Sequence, residues 1–129
     1  MTKVCIFGAG AIGGYIAACL SKTNVKLSLI ARGPHKEAIE KNGLTFIKDE
    51  KTENLKLTVT DDPKNLEIQD YIFISVKAHY ISNIVDSLSS IIGEQTSIIS
   101  TVNGLPWWYF HKANTGTNLD DTFLESVDP

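Results

Sequence analysis

Apolar and polar positions along this chain follow two rhythms in turn. Val4-Cys5-Ile6-Phe7 is a short apolar run that stops at Gly8. From Ala11 to about Lys22 an alanine-rich segment is amphipathic at helical spacing. After a Thr23-Asn24 turn, Val25 to Ile30 alternates and then becomes apolar, the pattern of a second strand. A β-α-β unit of about thirty residues predicts a right-handed crossover and a parallel sheet. Pro34 to Asn42 predicts a helix that opens on proline and closes on Asn42-Gly43. Leu44 to Ile47 reads as a strand, Asp49 to Asn54 as a polar turn, and Leu55 to Val59 as the hairpin partner. That hairpin is expected to extend the sheet rather than form a site.

Asp61 to Lys64 reads as a turn with a brief helix to Leu66. Tyr71 to Val76 is nearly continuous in apolar residues and predicts a strand buried on both faces. A helix is expected over Tyr80 to Ser89, with Ile81, Ile84, Val85 and Leu88 on one face. Ile91-Ile92-Gly93 closes that unit, and Thr96 to Val102 predicts another strand. From Asn114 onward the chain turns polar and acidic, with no predicted element. The alternation defines an α/β fold, doubly wound around a mostly parallel sheet with an added β-hairpin. The sheet is expected to be incomplete at its C-terminal end.

The remaining composition mainly excludes. A chain of 129 residues suffices for one domain with a real core. Its 43% hydrophobic and 21% charged content is that of a soluble globular protein. No apolar run reaches the length of a membrane span. A net charge of −3 argues against non-specific nucleic-acid binding. Cys5 and Cys19 are too few for a disulfide framework. Both are read as small buried apolar residues, which agrees with a cytoplasmic location. Lys3 and the apolar run behind it have the outline of a secretory signal, but Gly8, Gly10, Gly13 and Gly14 interrupt the run. No zinc-type Cys/His spacing or nucleophile elbow is present, and no metal site is expected.

The candidate chemistry starts where the first strand ends. Gly8, Gly10 and Gly13 have the spacing G-x-G-x-x-G between a predicted strand and a predicted helix, the context that makes this motif a dinucleotide fingerprint. Gly8 allows the tight turn, Gly10 lets a pyrophosphate approach the backbone, and Gly13 lets the helix pack close to the strand. The candidate cofactor contacts run through Gly8, Ala9, Gly10, Ala11, Ile12 and Gly13, with the helix N-terminus facing the phosphates. At the end of the second strand, where an acid would bond a ribose 2′-hydroxyl, the residues are Ala31-Arg32-Gly33. Arg32 is the single arginine of the chain and is suited to the 2′-phosphate of NADP. Lys36, one helical turn beyond, can assist. Lys77-Ala78-His79 and Asn103-Gly104 lie at the carboxyl ends of later strands, where open α/β sheets bind ligands. His35 is read as a surface residue. His79 and His111 lie near the expected cleft and are read as structural.

Four segments together resemble the ketopantoate reductase (2-dehydropantoate 2-reductase) family: FGAGAIGG at Phe7–Gly14, IARG at Ile30–Gly33, SVKAH at Ser75–His79 and VNGLPWWYFH at Val102–His111. The resemblance covers essentially the whole chain but only the N-terminal half of such a protein. It implies NADPH-dependent reduction of 2-dehydropantoate to pantoate, a step of pantothenate synthesis. Lys77 would lie near the nicotinamide ribose and substrate, and Asn103 at the cofactor–substrate junction. The family's general-acid lysine belongs to a C-terminal helical domain, absent here. Residues 1–129 are therefore expected to be the N-terminal dinucleotide-binding domain, holding NADP without turnover. The small 2-oxo acid substrate would be met only in the full-length protein. The other readings are a standalone NADP-binding or interaction module, a degenerate paralogue, or a reductase of another small 2-oxo acid. A homodimer through an exposed sheet edge or the Trp107-Trp108 cluster would suit the module.

Overall fold

The computed structural model describes residues 1–103. The Trp107-Trp108 cluster, His111 and the polar segment from Asn114 lie outside the described residues. Strand β1 (Thr2–Phe7) leads into helix α1 (Ala11–Leu20), β2 (Val25–Ile30) and α2 (Gly33–Asn42). The pair β3 (Leu44–Lys48) and β4 (Lys51–Leu55) follows, then β5 (Thr58–Thr60), β6 (Tyr71–Ile74), a short α3 (Val85–Leu88) and β7 (Ser97–Ser100).

Five strands form one sheet in the order β5-β2-β1-β6-β7. Every neighbouring pair in it is parallel, with Val4 opposite both Leu27 and Tyr71 in the registers. The chain winds outward from β1 to β2 and β5, then returns to β6 on the other side of β1. The carboxyl ends of β1 and β6 thus flank a topological switch point, where a crevice opens.

The period of two along the strands builds two cores. Val4 and Ile6 of β1 and Leu27 and Leu29 of β2 pack with Ala17, Ile39 and Leu44 on one face. Cys5, Phe7, Ile30, Ile72 and Ile74 pack with Ile81, Ile84, Leu88 and Ile91 on the other. Central strands buried on both faces cannot alternate apolar with polar residues, which is why Val4–Phe7 reads as a continuous run.

Five expectations are corrected. The hairpin partner is β4, and Thr58–Thr60 pairs with β2 as an outer strand of the parallel sheet. The hairpin is a separate two-stranded sheet, not an extension. β4 carries Thr52, Glu53 and Asn54, all exposed, so no buried face marks it as a strand. The expected helix over Tyr80–Ser89 is broken into a 3-10 turn at Ala78–Tyr80, α3, and a second 3-10 turn at Ser89–Ile91. The hydroxyls of Ser87, Ser89 and Ser90 donate to the carbonyls of Ile84, Asp86 and Ser87, bonding that competes with a regular helix. Ile81, Ile84 and Leu88 are buried as expected, whereas Val85 is exposed. Cys5 is buried, but Cys19 is exposed on α1.

Candidate dinucleotide site

The turn after β1 is shaped by collisions a side chain would cause. Gly8 has φ +109°, and a Cβ there would lie 2.9 Å from the carbonyl oxygen of Ser75. A Cβ on Gly13 would collide with the Gly8 carbonyl oxygen, so the first turn of α1 rests against the loop only because Gly13 lacks one. Gly10 differs from both: a Cβ there would meet nothing within 4 Å. It occupies the N-cap of α1 with extended backbone, no side chain caps the helix, and no acid lies in the first turn. Backbone N–H groups and the positive end of the helix dipole therefore face an open space.

Three clefts flank this loop: one of about 400 Å³ lies against Ala9, Gly10, Ala11 and Gly14, and two lie at the carboxyl ends of the strands. The larger, about 440 Å³, lies between the ends of β1, β2 and the segment after β6; Arg32, His35, Val76, Tyr80, Asn83 and Ile84 line it. The smaller, about 270 Å³, is lined by Ile12, Ser75, Val76, Lys77, Val102 and Asn103. Lys77 and Asn103, 26 positions apart, thus meet in one cleft beside Ile12 of the α1 first turn. Thr101 holds these strand ends together: its hydroxyl lies 3.0 Å from both the Ile74 carbonyl and the Ser75 hydroxyl. Lys77 is exposed, and its carbonyl accepts from the Tyr80 N–H at 2.9 Å.

Arg32 is exposed at the N-cap of α2, at the rim of the larger cleft, and makes no ion pair among the described residues. Lys36 is committed elsewhere. Its ammonium lies 3.1 Å from Asp61 and 3.5 Å from Glu40. That bond from Lys36 holds the Asp61 carboxyl below its ordinary value, aided by the Asp61 backbone amide and the charge of Arg32. Asp61 and Glu40 in turn raise Lys36.

His35 lines the larger cleft, and Tyr80, Asn83 and Ile84 line it from the broken segment after β6. The sequence reading missed all four as site residues, because their spacing signals an amphipathic helix and nothing more. His79 lines neither cleft; it is exposed and its ring lies 4.2 Å from that of Tyr80. Among the described residues no cluster of His, Cys, Asp and Glu could hold a metal, and no helix is long and apolar enough to cross a membrane.

A parallel sheet of this order, with a glycine turn running into an uncapped helix at its switch point, defines a dinucleotide-binding α/β domain. The sequence profile of the family described as ketopantoate reductase PanE/ApbA matches residues 4–106, and the chain belongs to that family, whose members are oxidoreductases. A 2-dehydropantoate 2-reductase from Mesorhizobium japonicum is 42% identical over 128 residues, which are 98% of this chain and 39% of that protein. The chain therefore spans about two fifths of the length of that relative. A solved 2-dehydropantoate 2-reductase from Porphyromonas gingivalis W83 superposes with a TM-score of 0.73 at 33% identity, over 80% of this chain and 39% of that one. The ternary structure of D-mandelate dehydrogenase with NADH and anilino(oxo)acetate superposes with a TM-score of 0.74 at 25% identity, over 81% of this chain and 34% of that one. The shared scaffold thus occurs in a protein bound to NADH, and the choice between NADH and NADPH must come from side chains.

Proposed function

We propose that this chain is the NADP-binding domain of a reductase acting on a small 2-oxo acid, of the 2-dehydropantoate type. The observation that carries the reading is the contrast among the three glycines. The fold itself demands Gly8 and Gly13, whereas Gly10 answers no demand of the chain and opens onto uncapped helix N–H groups. An absent side chain at such a place suits a pyrophosphate lying against the backbone. Loop amides from Ala9 to Gly13 would bond the phosphates. Arg32, without an ion-pair partner among the described residues, would hold the 2′-phosphate from the end of β2 in a two-pronged contact. Lys77 and Asn103 would position the nicotinamide ribose and the 2-oxo acid in the smaller cleft.

When bound there, the cofactor would supply hydride for reduction of a keto group. Such a reduction would also need a proton donor, and the family resemblance implies an acid lysine carried by a C-terminal helical domain. Binding without turnover is therefore expected of the chain alone.

Calorimetric titration with NADPH and NADH tests the reading. Tighter binding of NADPH, weakened by R32A, supports it. Equal or tighter binding of NADH would remove the role given to Arg32. Steady reduction of 2-dehydropantoate by the 129-residue chain would overturn the expected inactivity.

A further inference from the structure

We propose that Asp61 is a specificity-determining residue: it engages Lys36 and sets a negative charge beside Arg32, and so narrows the preference for a 2′-phosphorylated dinucleotide. This rests on the cofactor reading above. The placement follows from topology. The Ala31 N–H donates to the Thr60 carbonyl at 3.0 Å, so the next residues, Arg32 and Asp61, leave adjacent parallel strands side by side. The Lys36 N–H donates to the Arg32 carbonyl at 3.4 Å, which sets Lys36 one helical turn above Arg32.

Lys36 would be the natural second cation for a phosphate at Arg32. Its ammonium instead bridges Asp61 at 3.1 Å and Glu40 at 3.5 Å, and its side chain is only 24% exposed. It lies against the protein rather than reaching toward the cleft. Arg32, Lys36, Asp61 and Glu40 together carry no net charge.

A 2′-phosphate brings a charge of about −1.5 to −2 to this rim. Asp61 repels that charge and competes for Lys36. A 2′-hydroxyl meets no such penalty, and it can donate a hydrogen bond to a carboxylate. The carboxylate therefore penalises the phosphorylated cofactor selectively. An amide at the same position keeps the size and removes the charge, freeing Lys36 to turn toward the phosphate.

The test uses the whole chain and two pairs of probes that differ only in the 2′-phosphate: 2′,5′-ADP against 5′-AMP, and NADPH against NADH. The D61N variant is expected to bind 2′,5′-ADP and NADPH about fivefold more tightly, with 5′-AMP and NADH within about twofold of wild type. The gain should shrink at high salt, since Asp61 and Arg32 are exposed. K36M should cut back the gain when combined with D61N. An unchanged NADPH-to-NADH ratio in D61N overturns the proposal. If wild type binds NADPH and R32A weakens it while D61N changes nothing, this inference alone falls. If wild type binds neither 2′,5′-ADP nor NADPH, the cofactor reading falls and carries this one with it.

Discussion

A glycine in a fingerprint can serve the fold, the ligand, or both, and the three here separate. Gly13→Ala places a methyl group into the Gly8 carbonyl oxygen, so α1 must shift away from the loop. Overpacking of this kind costs about 1–3 kcal/mol, and denaturant unfolding of G13A should report a loss in that range. Gly10 has φ −71°, an ordinary value for any residue, and its missing Cβ faces open space. G10A should leave stability within about 0.5 kcal/mol of wild type while weakening NADPH binding. An equal loss of stability in both variants would sink the assignment of Gly10 to the ligand. Gly13 was legible in the sequence because it answers a constraint five residues back along the chain, and Gly8 because the turn out of β1 takes a positive φ. His35 and Asp61 were not: His35 reaches the cleft rim from α2, and Asp61 is set beside Arg32 by the lateral pairing of β5 with β2. No local spacing encodes that pairing.

At the scale of elements, the sequence pattern works where an element buries a face and fails where it does not. Strand β2 was legible from Val25 to Ile30 because its last four residues are buried. Strand β4 buries almost nothing, and its pairing with β3 depends on the turn between them. Asp49 and Glu50 have φ of 51° and 63°, the two left-handed positions of a tight two-residue hairpin turn. Aspartate tolerates this conformation better than most residues, whereas glutamate has no such ease. E50G, which places glycine after Asp49 as such turns favour, is expected to stabilise the chain by roughly 0.5–1 kcal/mol. Thermal unfolding of wild type and E50G measures this; a lower melting temperature for E50G would contradict the turn geometry. The broken helix after β6 teaches the converse. Its apolar spacing correctly foretold Ile81, Ile84 and Leu88 as buried. Side-chain hydroxyls bond back to the chain over Ile84 to Ser90, and the separate turn at Ala78–Tyr80 precedes Asn83, which lines the cleft with Tyr80.

At the scale of the molecule, the two ends of the sheet have different tasks. The carboxyl ends of the strands bear the loop, Arg32, Lys77 and Asn103. The amino ends carry a charge cluster that serves stability. Lys3 of β1 and Lys26 of β2 are paired in register, a repulsive arrangement on adjacent strands. Glu67 answers both, with its oxygens 2.7 Å from Lys3 and 2.8 Å from Lys26. Lys26 first and Lys3 second hold the Glu67 carboxyl down from 4.5 to about 2. A depressed carboxyl stabilises the fold above its unfolded value and loses that contribution as pH falls through its folded value. Wild type should therefore melt above E67Q at neutral pH, and the gap should have largely closed once pH falls from 4.5 to about 2, where Glu67 is half protonated in the folded chain and protonated in the unfolded one. Because Glu67 and Lys26 are exposed and Lys3 is partly so, added salt should narrow the gap at neutral pH. Saturating NADPH should raise both melting temperatures by a similar amount, since Glu67 lies at the opposite end of the strands from the loop. A gap that persists at pH 2 would mean that Glu67 acts through packing rather than charge. A gap that NADPH abolishes would mean that the two ends of the sheet are coupled.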